Sequence, residues 1–338
     1  MSSIKPALKL WGLIQSHRTT VVIYVAAKLG IAELLRNGSR SLAELAEATG
    51  ADKQALGRLL IALSTVGVCS LVAKDRYSLT EMGTALDGAA ESSCRASAIF
   101  EGQVLSKSWN GLLESIMTGK TAAQLQGVND AFDLMAQSPE NVGIFNAAMV
   151  ELTRFVTPDI LRAYDFSGIA RLMDVGGGSG ELIGAVARRY PHIRATVFDL
   201  PRCAESAKDH FGRMGVSDRI EFKPGDFFQE IPSGADAIIM KSIIHDWNDE
   251  RSRVILGNCR KSLPESGTLL LVERLMPEFP TFREEDKEQA LTDLVMLRGP
   301  GGLERTEKKY RRLLEETGFH QLANYPAGLF SVIEARVR

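Results

Sequence analysis

The sequence predicts an α/β protein: a mostly parallel, doubly wound sheet with an antiparallel hairpin at its edge, preceded by a mostly helical half. Three observations carry that expectation. Apolar residues recur at three- and four-residue spacing up to about residue 150, strand and helix patterns alternate from about residue 170, and MDVGGGSG (173–180) sets three glycines in a row directly after an apolar run.

In the first half, AAKLGIAELL, SLAELAEATG and ALGRLLIALSTVGV show the helical period. Ser41 with Glu44 three positions on forms a capping box, Thr49-Gly50-Ala51-Asp52 makes a turn, and a second helix starts near Lys53. The alternating CSLVAKDRYSLT that follows completes a helix-turn-helix with a β-wing. Such a motif raises a DNA-binding reading. Charge argues against it, because DKQALGRLLIAL offers Lys53 and Arg58 and little else that is basic, whereas a groove reader needs several phosphate contacts. Dimerisation or support of a substrate pocket is the favoured use.

In the second half the order is strand RLMDVG, helix ELIGAVARRY, strand ATVFDL, helix RCAESAKDHFGRMG, strands RIEFKPGD and ADAIIMK, helix DERSRVILGNCRKSL and strand GTLLLVE. This alternation means parallel strands with helices on both faces, and ligands at the carboxyl ends of the strands. The closing HQLANYPAGLFSVIEARVR holds two apolar segments split by Pro326 and Gly328, which fits an antiparallel edge hairpin.

Length and balance describe an ordinary globular chain of two domains: 338 residues, net charge −2, 45% hydrophobic and 24% charged. Neither nucleic acid nor an anionic membrane is suggested as a partner. Cys69, Cys94, Cys203 and Cys259 lie far apart without a C-x-x-C pair, so neither metal nor a disulfide framework is signalled, and a reducing cytoplasm is expected. The early apolar run VVIYVAA (21–27) is too short to span a bilayer and continues into an amphipathic helix rather than a cleavage site.

The glycine turn points to a nucleotide-like cofactor. A dinucleotide site wants a small residue at the third position of G-x-G-x-x-G, and here Glu181 stands there. Asp174 and Glu181 would repel a pyrophosphate but suit a sulfonium. Asp199, closing ATVFDL, stands where a carboxylate accepts hydrogen bonds from ribose hydroxyls. The run D-x-G-x-G-x-G from Asp174 to Gly180 resembles the signature of S-adenosylmethionine-dependent methyltransferases of the Rossmann-like class.

With FDLP (198–201), GDFF (225–228), MKSIIHDWNDE (240–250), LLLVERLMPE (269–278) and GPGGLERTEKKY (299–310), the chain resembles over nearly its whole length the small-molecule O-methyltransferase family. That family includes plant caffeic acid and chalcone enzymes and bacterial polyketide and phenazine enzymes. The resemblance implies a winged-helix-like dimerisation domain over 1–98 and a catalytic domain over 99–338, with 99–165 as a helical linker and substrate-pocket segment. It further implies S-adenosyl-L-methionine as cofactor and S-adenosyl-L-homocysteine as product, without metal, in a homodimer. Asp174, Gly176, Gly178, Asp199, Leu200, Asp226, Phe227 and Lys241 fall to the cofactor by the same resemblance. An exposed YVAAKLGIAELL patch is a physical reason of its own to expect a dimer.

Methyl transfer is an in-line displacement, so the protein chiefly positions two partners and removes one proton. His17, His192, His210 and His320 read as solvated or packing residues. His245 follows the strand ADAIIMK, beside the active crevice, and Glu273 ends the next strand. Glu304 comes from the family, where two carboxylates orient the base; it also reads as a helix-capping acid ahead of RTEKKYRRLLEE. Asp246 either touches the bound molecules or caps the following helix. For the acceptor, FNAAM (145–149) suggests Phe145, Asn146 and Met149, with Met296 opposite; Trp109 and Phe132 are further wall candidates. The methionines equally suit ordinary core. Plant enzymes often carry a histidine where this chain has Leu152, so the pocket floor is expected to be more apolar. An aromatic hydroxyl is the expected acceptor; nitrogen or carbon acceptors, a member that no longer transfers methyl, and a DNA-binding regulator are the rivals.

Overall fold

In a computed structural model the described residues are 4–128 and 131–338. The chain divides into two compact units, one of Met1–Asn110 with Ser138–Leu152 and one of Gly111–Gln137 with Thr153–Arg338. The sequence places a single cut near residue 98. In the structure the first unit instead runs on to Asn110 and takes back the first half of the long helix Pro139–Ala163.

The first unit is built around helices His17–Leu29, Ile31–Leu35, Leu42–Thr49 and Lys53–Thr65, with a small sheet of β1 (Arg40–Ser41), β2 (Cys69–Ala73) and β3 (Arg76–Leu79) in the order β1-β3-β2. The expected capping box forms: Glu44 N–H donates to Ser41 Oγ at 3.2 Å, and Ser41 N–H donates to Glu44 Oε2 at 2.6 Å. Asp52 caps the next helix through the Ala55 N–H. Ala26, Ile31, Leu35, Leu45, Leu56, Leu60 and Leu63, spaced at the helical period, make the core, so the YVAAKLGIAELL stretch expected to leave an exposed patch is instead largely buried within its own unit.

The second unit carries a seven-stranded sheet of β4 (Arg171–Val175), β5 (Arg194–Asp199), β6 (Ile220–Pro224), β7 (Ala237–Lys241), β8 (Thr268–Glu273), β9 (Phe319–Ala327) and β10 (Phe330–Val337). Its order is β6-β5-β4-β7-β8-β10-β9. Strands β4 to β8 pair in parallel, whereas β10 pairs antiparallel with both β8 and β9. Every residue of β8 is buried, the mark of a strand covered on both faces. The order in which successive strands join the sheet reverses between the parallel neighbours β4 and β7, which opens a crevice at their carboxyl ends. Among the described residues no helix is long and apolar enough to cross a membrane.

Candidate active site

The glycine turn follows β4. Gly176, Gly178 and Gly180 have φ of 74°, 55° and 76°, a region that side-chain-bearing residues rarely adopt. A Cβ on Gly176 would run into Ile243, whereas one on Gly178 would meet nothing within 4 Å, so the turn presents bare backbone to open space. Gly178 N–H donates to Asp199 Oδ2 at 2.7 Å, and Leu200 N–H donates to Asp199 Oδ1 at 2.6 Å. Those two bonds tie the ends of β4 and β5 together. Burial raises the Asp199 carboxyl above its ordinary range, opposed by the same two N–H groups.

Asp174 is pushed up to about 7 by burial, with Lys241 opposing. Lys241, at the end of β7, is pushed down to about 8 by burial, with Asp174 and Glu273 opposing. Phe227 stands 3.7 Å from the position of a Gly176 Cβ, and Asn258 holds its carbonyl at 2.9 Å. Asp226 Oδ1 accepts the Phe228 N–H at 2.8 Å, which shapes the loop after β6. The glycine turn, a ribose-type acid at the end of β5 and an aromatic ring facing the first glycine fit an adenosyl cofactor.

The second half of the site grows from the ends of β7 and β8. Glu273 is fully buried, and its Oε1 accepts the N–H groups of Ile243 at 3.2 Å and Ile244 at 2.9 Å. It thereby holds the one-turn helix Ile244–Asp246 that carries His245. His245, 8% exposed, places Nδ1 2.8 Å from Glu304 Oε1 and 3.9 Å from Glu273 Oε2. Asp246 Oδ1 lies 3.5 Å from the other ring nitrogen, Nε2. Burial alone disfavours charge on this imidazole, but Glu273, Asp246 and Glu304 outweigh it and raise its pKa. Glu273 is raised by burial, with His245 opposing and Glu304 adding.

Two alternatives left by the sequence close here. Thr306, not Glu304, caps the helix Glu307–Glu316, through the Lys309 N–H. Asn248, not Asp246, caps the helix Asp249–Ser262, through the Arg251 N–H. Both acids are therefore released to face His245. Among the described residues, Glu273 Oε2 and Glu304 Oε2 have no hydrogen-bond partner.

Several supporting residues escape sequence reasoning. Gly302 has no room for a Cβ, which would strike the His245 carbonyl and the Trp247 nitrogen. Leu303 N–H donates to that same carbonyl at 2.9 Å. Asp293 accepts the Glu304 N–H at 2.7 Å, and Ile243 packs over the glycine turn. Ser242 adopts φ of 56°, so the chain bends sharply between β7 and the histidine turn.

The acceptor candidates do not fall in one unit. Phe145, Asn146 and Met149 lie on the part of the long helix that belongs to the first unit, where Phe145 makes an edge contact with Phe100 at 5.6 Å. Met296, 9% exposed, lies in the second unit on helix Glu284–Arg298. Phe132, in the second unit, packs on Trp247 with ring centroids 6.1 Å apart, and Trp109 is in the first. His210 is buried rather than solvated, and its Nε2 lies 2.8 Å from Glu181 Oε2.

A switch-point glycine turn with a buried acid at the end of the next strand, beside a buried imidazole set among carboxylates, fits a Rossmann-like transferase that handles an adenosyl cofactor. The chain belongs to the O-methyltransferase family: residues 109–320 match the O-methyltransferase domain and residues 11–86 the O-methyltransferase dimerisation domain. It is similar to a phenazine O-methyltransferase of Lysobacter antibioticus, with 35% identity over 96% of this chain and 94% of that one. Among solved structures, LaPhzM matches with TM-score 0.93 and 34% identity over 98% of this chain and 99% of that one. Human N-acetylserotonin methyltransferase, crystallised with S-adenosylmethionine, matches with TM-score 0.91 and 25% identity over 100% and 99%. The protein is an S-adenosylmethionine-dependent O-methyltransferase, and S-adenosyl-L-homocysteine is its coproduct.

Proposed function

We propose that this enzyme methylates a hydroxyl of an aromatic small molecule, with His245 as general base, and works as a homodimer in the cytoplasm. The observation that carries the mechanism is the arrangement around one imidazole: Glu304 engages Nδ1 at 2.8 Å, which leaves Nε2 for the acceptor. When bound, S-adenosylmethionine supplies a methyl group made electrophilic by its sulfonium. Gly176, Gly178 and the Asp174 end of β4 would line its amino-acid part, Asp199 with Leu200 its ribose, and Asp226 and Phe227 its adenine, with Lys241 facing it. Arg154, held at 3.2 Å by Glu181 at the start of the helix after the glycine turn, offers a cation to its carboxylate.

His245 accepts the proton of the acceptor hydroxyl at Nε2. Glu304 fixes the tautomer and, with Glu273, stabilises the imidazolium that results. Asp246, beside Nε2, orients the incoming hydroxyl. Met296, on helix Glu284–Arg298, is assigned to the acceptor ring. A ring-bearing acceptor is in keeping with the phenazine named for the similar Lysobacter enzyme. Four free cysteines, two of them buried, suit a reducing compartment.

Transfer of isotope-labelled methyl to a panel of hydroxylated aromatics tests the reading, with His245→Ala in parallel. General-base catalysis contributes ~10²–10⁴-fold. A loss of that size with cofactor affinity retained is expected. Parent-like activity of the variant would remove the base assignment.

A further inference from the structure

We infer that Arg305 is a positioning residue for methyl transfer, its buried guanidinium holding the two carbonyls that flank the His245–Asp246 step. The inference rests on His245 being the base. Arg305 is fully buried, an expensive place for a permanent charge. Apart from a long 3.5 Å contact of Nη1 with the Leu303 carbonyl, its donors are spent on one short segment. Nη1 donates to the Ile244 carbonyl at 2.9 Å, and Nη2 donates to the Trp247 carbonyl at 2.7 Å. Nε and Nη2 both reach Asp249 Oδ1, at 3.0 and 2.8 Å, and Nη2 also reaches Ser252 Oγ at 3.3 Å.

The backbone of the same strip locks onto the surroundings. Leu303 N–H donates to the His245 carbonyl, and the Arg305 carbonyl accepts the Met276 N–H at 3.0 Å, just beyond β8. Arg305 directly follows Glu304, so one residue fixes the turn that carries the base while its neighbour supplies the carboxylate at the base's Nδ1. The 2.8 Å contact between His245 and Glu304 is therefore set by the guanidinium fork.

A purely structural filler at this place has no need of an arginine. Replacing a whole buried ion pair by apolar side chains of similar volume is often neutral or stabilising. What only arginine supplies is a planar fork that satisfies two carbonyls and a carboxylate in fixed relative geometry. Lysine brings the charge without the fork.

The test compares the parent, Arg305→Lys, Arg305→Met, Asp249→Asn and His245→Ala in methyl-transfer kinetics, cofactor titration calorimetry, thermal unfolding and a pH profile of kcat/KM. A misplacement of about 1 Å costs on the order of 10²-fold in rate, so Arg305→Met should lose about that much in kcat and Arg305→Lys about 10-fold. Cofactor affinity should stay within about twofold, because the glycine turn and Asp199 stand on other strands. The acid limb of the profile should move to lower pH in both variants, since a loosened Glu304 no longer raises His245. Asp249→Asn should move kcat in the same direction by a smaller factor.

A lowered melting temperature with parent-like kcat and an unmoved profile would mean that Arg305 merely fills space, and the inference would fall. Should Arg305→Met not fold, Arg305→Lys and Asp249→Asn decide alone, and parent-like kinetics in both overturn it. If His245→Ala is inactive while Arg305→Lys is parent-like, the Arg305 inference falls by itself. If His245→Ala is as active as the parent, the base reading falls and takes this one with it.

Discussion

His245 is held charged in a place where burial alone would make it neutral. Three carboxylates win that contest, raising the imidazole to about 9 from an ordinary value near 6.5. In the proposed role of base the imidazole must be deprotonated to act, so its active fraction grows as pH rises. The expected kcat/KM therefore climbs from neutral pH towards about 9, with the base form scarce below the ordinary value. Glu304→Gln keeps an acceptor at Nδ1 but removes a charge. Its acid limb should shift to lower pH, and its maximal rate should fall, because a hydrogen bond to a charged group contributes ~1.5–3 kcal/mol, or roughly 10- to 100-fold. A pH series of initial rates with saturating cofactor would decide it. An unmoved limb would place the controlling charge elsewhere, on Glu273 or Asp246.

At the scale of elements, the site is a convergence of strand ends with one distant strip laid across them. The strand ends are legible in sequence: LLLVE announces a buried strand whose terminal acid must face the crevice, and the D-x-G-x-G-x-G turn marks the cofactor end of β4. The strip at 301–305 is not. Nothing local shows that Gly302 must lie against the His245 carbonyl, because that contact depends on a tertiary approach between segments more than fifty residues apart. The sequence reading assigns Arg305 no role, and only the fold reveals it as fully buried. The return of 138–152 to the first unit is hidden for a like reason, since helical periodicity shows an apolar face but not what that face packs against. Gly302→Ala tests the strip directly. Its new methyl meets backbone rather than a flexible side chain, so the turn or the strip must shift. The expected result is a fall in kcat of on the order of 10²-fold, at the scale of a 1 Å misplacement. Calorimetric cofactor affinity should be unchanged, and full activity would show that the two segments yield without cost to the site.

At the scale of the whole molecule, the first helix of the chain is what a solitary protomer leaves unexplained. On Ile4–Gln15, Leu8, Leu10, Trp11, Leu13 and Ile14 are 57–62% exposed, more large apolar side chains on one helix than a monomer ordinarily leaves to water. The dimerisation-domain match begins within this helix, at residue 11. A twofold partner would present the same apolar patch to its equal, so each substitution acts twice per interface. Trp11→Asp with Leu13→Asp places two charges per chain in that surface. Because both side chains lie outside the unit's own core, they should leave the fold intact while breaking association. Light scattering across a dilution series reads the outcome. The parent should hold a mass of twice 37.0 kDa, and the double variant should fall towards the single-chain mass with an unchanged circular dichroism spectrum. A parent that already runs as one chain would remove the dimer. A variant that still pairs would move the contact off this helix and onto the remaining surface of the first unit.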